Sequence, residues 1–165
     1  MDSRKIATII EQKYPEPAVH LDSPYLAKLE EIMDRLMKPF APLFLAQVPK
    51  NILNDASLEY WYTTRAQWLG MHVDEFEKAK GGEVAWKELA PILQEVTALL
   101  KENQDGPFFM GKTVSYADFV WGGFLIFARC SKQEILDETL KVSGDGQAHT
   151  ALLEGLRPWS ERCTH

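Results

Sequence analysis

An all-α multi-helix bundle is the fold this sequence predicts, on three observations. Apolar residues recur at helical spacing along nearly the whole chain. No segment alternates apolar and polar residues as a half-buried strand would. Prolines and glycines fall between the periodic stretches rather than within them, with few exceptions. The chain has 165 residues, 45% hydrophobic and 25% charged, enough for one domain with its own core. Six to eight helices are expected, with no internal repeat and no low-complexity segment.

The first helix runs from Ser3 to Lys13, carrying Ile6, Ile9 and Ile10, and ends at Tyr14-Pro15-Glu16-Pro17. After Val19-His20-Leu21, Asp22-Ser23-Pro24 supplies an N-cap and a proline at the first helical position. Leu26, Leu29, Ile32, Met33, Leu36 and Met37 then form one stripe. Pro39 and Pro42 are expected to kink or break this helix before Phe44 and Leu45, and Val48 to Asp55 reads as a loop.

Ser57 opens a helix interrupted at Gly70, with Leu58, Trp61, Tyr62, Arg65, Trp68 and Leu69 on one face and Tyr60, Thr64, Gln67 and Met71 on another. A short piece, Val73 to Lys80, runs into Gly81-Gly82. A long amphipathic helix follows from Val84 to Asn103, turning Trp86, Leu89, Leu93, Val96, Leu99 and Leu100 inward, with a bend expected at Pro91. Beyond the core helix at 116–130, Ser131 and Glu134 have capping-box spacing for a helix through Leu140. A last helix from about Ala148 stops at Leu156, before Pro158.

Composition excludes several functions. A net charge of −6 without a basic stripe argues against nucleic acid, and Lys78 and Lys80 stand beside Glu75 and Glu77 on a mixed face. The apolar run Phe119 to Ala128 is far short of the roughly 20 residues a membrane-spanning helix needs. Two cysteines and no signal segment fit a reducing, cytoplasmic setting. Cys130 is expected to be a buried thiol and Cys163 an exposed one. His20, His72, His149 and His165 lack metal-ligand spacing, so no metal is expected.

The most informative stretch is "GKTVSYADFVWGGFLIFARC". Ser115 and Asp118 have the spacing of a capping box, and Val114 and Phe119 that of a hydrophobic staple across it. A catalytic serine would need a base beside it, and no histidine is close in sequence. The structural assignment of Ser115 and Asp118 is therefore preferred. Gly122-Gly123 in mid-helix implies a neighbouring helix packed on that backbone.

"FFMGKTVSYADF" resembles the F-x-x-G-x-x-x-S-x-A-D stretch of the glutathione transferase superfamily, matching at Phe108 or Phe109, Gly111, Ser115, Ala117 and Asp118. "DSRKIATIIEQKYPEP" is similar to the run that closes the thioredoxin-like domain of those enzymes, at Asp2, Ser3, Ile6, Ile10, Glu11, Tyr14 and Pro15, with Ile9 in place of the usual tyrosine. "YWYTTRAQWLGMHVDEF" resembles the fungal and bacterial classes related to β-aryl-etherases.

The resemblance implies a division of the chain: 1–17 as the last helix of a thioredoxin-like domain, 18–22 as linker, and 23–165 as the helical C-terminal domain. "MDS" then looks like a start placed inside a longer gene, or like a truncated homologue. The family's catalytic residue belongs to the thioredoxin-like domain, so no catalytic residue is nominated here. The chain alone is expected to have little or no transferase activity.

The implied co-substrate is glutathione. Ser3, with Asp2 before it, corresponds to the family's site for the γ-glutamyl carboxylate, an anion site at a helix N-terminus. The family's hydrophobic pocket nominates Phe40, Phe44, Tyr60, Arg65 and Tyr116 as substrate-binding residues. For Phe40 and Phe44, core packing is the equal alternative. Tyr60 lies off the apolar stripe, and Arg65 beside Trp61 and Trp68 suits stacking or pairing with a buried carboxylate.

The implied parent conjugates glutathione to hydrophobic small molecules, or cleaves ether or peroxide bonds with it. The alternatives are a non-catalytic interaction or scaffold module and a hydrophobic-ligand carrier. Self-association or a homodimer is expected, because a thioredoxin-like domain would otherwise cover apolar surface.

Overall fold

The structure, a computed structural model, describes residues 3–160. Asp2, Cys163 and His165 lie outside the described residues, as does the side chain of Ser3. Ten helical segments follow one another: α1 (Ser3–Lys13), α2 (Pro24–Phe44), α3 (Val48–Asn51), α4 (Asp55–Leu69), α5 (Val73–Lys80), α6 (Glu83–Leu100), α7 (Tyr116–Ser131), α8 (Gln133–Val142), α9 (Gly146–Gly155) and α10 (Arg157–Ser160). Two of them, α3 and α10, are single turns of four residues. Among the described residues there is no strand, only two isolated bridges in the turn that closes Phe108 onto Gly111 and Met110 onto Thr113.

The core forms where α2, α6, α7, α8 and α9 meet. α2 starts at the Ser23 cap, whose hydroxyl accepts from the Tyr25 N–H at 3.3 Å, with Pro24 in the first turn. Its stripe of Leu26, Leu29, Ile32 and Leu36 is buried against α6, which contributes Leu89, Leu93, Val96, Leu99 and Leu100. Each fully buried aliphatic side chain contributes about 1.5–3 kcal/mol. α7 lies behind this pair, burying Ala117, Trp121, Phe124, Leu125 and Ala128.

Several boundaries differ from those expected. α2 is not broken by its prolines: it continues through Pro39 and Pro42 to Phe44. Each proline removes one helical N–H, but the same turn buries Phe40, Ala41, Leu43 and Phe44, and that burial holds the helix together. The stretch expected as a loop after Gln47 contains the α3 turn, with Pro49 in its first turn. Pro158 likewise opens α10 rather than following the last helix. Trp86, expected to turn inward, is half-buried, and Trp68, which shares a face with Leu58, Trp61 and Leu69, is 69% exposed.

The proposed capping box of Ser131 with Glu134 does not form. α7 runs through Ser131, and Lys132, in extended conformation, is the single residue between it and α8. A serine still inside one helix cannot cap the next, and its Oγ is buried without a hydrogen-bond partner. Cys130, expected to be buried, is exposed, because it lies on the outer side of the last turn of α7.

The capping box at Ser115 and Asp118 is present, and both residues are fully buried. Asp118 Oδ2 accepts from the Ser115 N–H and from the Ser115 hydroxyl, each at 2.7 Å, and Oδ1 accepts from the Phe109 N–H at 2.9 Å. Burial pushes the Asp118 carboxyl above its ordinary range, and the three donors pull in the opposite direction. The first-turn N–H of Tyr116 donates to Val19 O at 2.7 Å, so the segment before α2 also holds the start of α7. Val114 and Phe119, the staple residues, are both half-buried against the core.

A second polar group in the core was not foreseen. His149 Nδ1 accepts from the Trp121 indole N–H at 2.9 Å, which places the ring proton on Nε2, 2.8 Å from Thr97 Oγ1. The Thr97 hydroxyl has two carbonyl acceptors, Ser143 O at 2.8 Å and Leu93 O at 3.1 Å. The network joins α6, α7 and α9. Desolvation lowers the His149 pKa from 6.5 to about 4, so the core holds the neutral imidazole.

Ser115→Ala should cost about 1 kcal/mol, as loss of a cap does. Asp118→Ala strands two buried backbone donors and should cost about 3 kcal/mol. Equilibrium urea unfolding measures both, and a smaller loss in Asp118→Ala than in Ser115→Ala contradicts this account. For His149, the unfolded chain takes up a proton below pH 6.5 while the folded chain resists to about pH 4. Unfolding therefore binds a proton in that window, and stability falls as pH falls through it, by on the order of 3 kcal/mol. Asp118, with its pKa raised, contributes in the opposite sense at the acid end. The difference between wild type and His149→Gln isolates the histidine, and the variant should show the flatter pH profile.

Candidate functional site

The residues nominated for a hydrophobic pocket do not share one cavity. Phe40 and Phe44 pack on each other at 5.2 Å between ring centroids, Phe40 also on Phe124 at 4.8 Å and Phe44 on Phe127 at 5.1 Å. Both are buried, which is the core-packing alternative stated for them. They form the inner lining between α2 and α7.

Tyr60 and Arg65 lie on α4, a helix with no buried residue. Tyr60 is 71% exposed. The Arg65 guanidinium sits 4.3 Å over the Trp61 ring and donates to Thr64 Oγ1, so it is held by stacking rather than by a carboxylate. Trp61 in turn donates its indole N–H to Leu45 O, fixing the start of the α3–α5 excursion to the end of α2.

Tyr116 does line a cavity, of about 380 Å³, between α1 and the start of α7. Its walls include Ala7, Ile10, Tyr14, Pro17, Tyr116 and Phe119, and they are mostly apolar. The size lies within the range of small-molecule sites. The two sides are joined by polar straps: the Val19 N–H donates to Glu11 Oε1 at 2.9 Å, Arg4 reaches Leu21 O at 2.7 Å, and Arg4 pairs with Glu30 at 3.3 Å. α1 thus rests on the 17–22 segment through hydrogen bonds and leaves its apolar residues outside. Ile6, Ile9, Ile10 and Tyr14 are all exposed, between 41% and 62%.

The sequence predicts uncovered apolar surface but does not place it on Ile6, Ile9, Ile10 and Tyr14. The isoleucine spacing in α1 identifies an amphipathic helix, but spacing cannot say whether the apolar face is covered. The Trp121–His149–Thr97 group was missed as well, although His149 shares helical spacing with Leu152 and Leu156 and so pointed inward. It serves the core and is not near Ser115 in the hydrogen-bond network. Among the described residues, no group of three or more histidine, cysteine, aspartate or glutamate side chains is placed to hold a metal ion. No helix among them is long and apolar enough to cross a membrane.

Comparison with known proteins accounts for this arrangement of helices around a capped central helix. Residues 28–159 match the family described as glutathione S-transferase, C-terminal domain. A glutathione S-transferase-like protein of Aspergillus flavus is 25% identical over 157 residues, a match that covers 89% of this chain and 56% of that protein. The chain therefore spans about half the length of the curated relative it matches. The family match runs from within α2 to within α10, including the Ser115–Asp118 box and the core around Trp121, and on it the chain belongs to the glutathione S-transferase C-terminal domain family.

Proposed function

We propose that this chain is the substrate-side helical part of a glutathione-dependent enzyme acting on hydrophobic small molecules. In this reading, 1–17 is the last helix of a thioredoxin-like domain, 18–22 a linker and 23–165 the helical domain. The observation that carries it is the apolar cavity at Tyr116 and Phe119, facing a helix whose own isoleucines are exposed. An apolar face of that kind on α1 is what a thioredoxin-like domain would cover, and the cavity beside it is where an apolar substrate would meet glutathione.

The reaction is a displacement. The glutathione sulfur, as thiolate, forms a bond to an electrophilic carbon of the substrate, and that carbon releases its leaving group with the bonding pair. The thiol proton passes to solvent. Ether or peroxide cleavage uses the same nucleophile. Nothing in this chain is assigned to lower the thiol pKa. Tyr116, Phe119, Ile10 and Tyr14 bind the apolar part of the substrate and exclude water from it. Asp2 and Ser3 take the γ-glutamyl carboxylate in this scheme, whereas Phe40 and Phe44 pack on Phe124 and Phe127, further along α7. Tyr60 and Arg65, on α4, line no part of the Tyr116 cavity and are the weaker members of the substrate set. The setting is cytoplasmic and the enzyme a homodimer.

A scaffold role is the second reading. It is favoured by the exposure of α1 and of Tyr60 and Trp68 on α4, since tyrosine and tryptophan are enriched at protein interfaces.

The test has two arms. Incubated with glutathione and 1-chloro-2,4-dinitrobenzene, this chain should give no conjugation above the buffer rate. A rate well above it would place the chemistry within this chain and overturn the division of labour. The dinitrophenyl-glutathione product should nevertheless bind, and Tyr116→Ala should weaken that binding by about tenfold, as loss of a buried aromatic contact does. Unchanged affinity in Tyr116→Ala would remove the cavity from the substrate site and favour the scaffold reading.

A further inference from the structure

The sequence holds two cysteines, Cys130 and Cys163, with α8, α9 and α10 between them. Cys163 lies beyond the described residues, but the fold sets the chain that leads to it. α10 returns to the outer side of α7, where Trp159 packs edge-on against Phe119 with ring centroids 5.8 Å apart. Ser160, the next residue, lines an apolar groove of about 370 Å³ together with Phe119, Gly123, Ile126 and Cys130. Residues 119, 123, 126 and 130 have the spacing of one helix face, so Cys130 stands at the far end of the strip that Trp159 occupies at Phe119.

The remaining distance is short. Ser160 also shares the adjoining cavity with Ile126 and Arg129. Ile126 is one turn of α7 from Cys130, about 6 Å along the axis. Three residues separate Ser160 from Cys163, a span of up to about 10 Å. A disulfide then accepts a Cα separation of up to about 7 Å. Reach and bond together exceed the turn of helix to be crossed.

The groove leaves room for that crossing. At Gly122 a Cβ would collide with Leu156 Cδ1, so the fold itself needs that glycine. At Gly123 a Cβ would meet nothing within 4 Å, and the bare backbone opens into the groove. Cys130 is exposed at its end, where a thiol can be attacked and can attack.

We propose that Cys130 and Cys163 are a reversible redox pair, whose disulfide straps residues 161–163 across this groove. The oxidant is a small organic disulfide. One cysteine, as thiolate, bonds to a sulfur of that disulfide and expels the first small thiolate, leaving a mixed disulfide. The other cysteine thiolate attacks the protein sulfur of the mixed disulfide, forms the Cys130–Cys163 bond and expels the second small thiolate. The protein loses two electrons and two protons, and the oxidant becomes two small thiols. In a reducing setting such a bond is transient and reports on redox state. Phe119 lines the Tyr116 cavity as well, so a strap that holds Trp159 on Phe119 stiffens a wall of that cavity. The pair does not depend on the glutathione-dependent reading, because neither its thiols nor their reach does.

The test uses bis(2-hydroxyethyl) disulfide on the whole 165-residue chain at low micromolar concentration, so glutathione recognition plays no part. Mass spectrometry of the unreduced protein should show a monomer lighter by two hydrogen atoms, and its digest the Cys130 and Cys163 peptides joined. Cys163→Ser and Cys130→Ser should instead stop at the mixed disulfide, holding at least ~10-fold more of it than wild type. Oxidised wild type should melt about 10 °C above the reduced form, as closing a loop of roughly thirty residues predicts. Trp159→Ala removes the contact that sets α10 on α7 and should slow ring closure ~10-fold, while far-ultraviolet circular dichroism checks that the variant is folded. Covalent dimers in place of the closed monomer, a stable mixed disulfide in wild type, no gain in Tm on oxidation, or unchanged closure in Trp159→Ala would each overturn the proposal.

Discussion

Asp118 ties the turn before α7 to the start of that helix. Its carboxylate takes the Phe109 N–H from the turn before α7 and the N–H and hydroxyl of Ser115 at the cap, all inside the core. Beside it, Val19 O takes the Tyr116 N–H, which brings the segment leading into α2 to the same point. A carboxylate in that position is costly to bury, and burial does raise its pKa. Three donors and the positive end of a sixteen-residue helix offset that cost. With α7 started at this point, Trp121, Phe124, Leu125 and Ala128 project into the bundle in register with α2 and α6.

The candidate site depends on the same anchor. Tyr116 is the first helical residue after the cap and Phe119 the fourth, so the geometry that starts the helix also sets the wall of the cavity facing α1. α1 is fastened across from it by polar contacts through Arg4 and Glu11, with its isoleucines left outward. Contiguous exposed apolar residues of this kind are characteristic of interaction surfaces and ligand grooves. The structure thus combines a well-packed helical core with one exposed apolar face, on α1.

Further along α7 the two adjacent glycines have different causes. Gly122 permits Leu156 to approach the helix backbone, and the α9 region is held against α7 and α6 by the Trp121–His149–Thr97 group as well. The neutral imidazole makes that second attachment sensitive to acid. Gly123 makes no such contact, and with Arg129 it faces a groove. A pair that looks like one packing motif therefore divides into a structural residue and one whose bareness opens a cavity.

The sequence by itself determined the fold class, the start of α2 at Ser23-Pro24, the box at Ser115 and Asp118, and the family. These are properties of local spacing: a cap, a proline or an apolar period acts on its own few residues. Tertiary structure decided the rest. It carried α2 through Pro39 and Pro42 because Phe40, Leu43 and Phe44 are buried there, turned Cys130 outward, left Ser131 inside α7, and packed Phe40 and Phe44 on each other. It also left Trp68 and the isoleucines of α1 exposed, although their spacing is that of buried faces. Periodicity states which residues share a face of a helix. Only the neighbour that packs there, or fails to, decides whether the face is core, cavity wall or open surface.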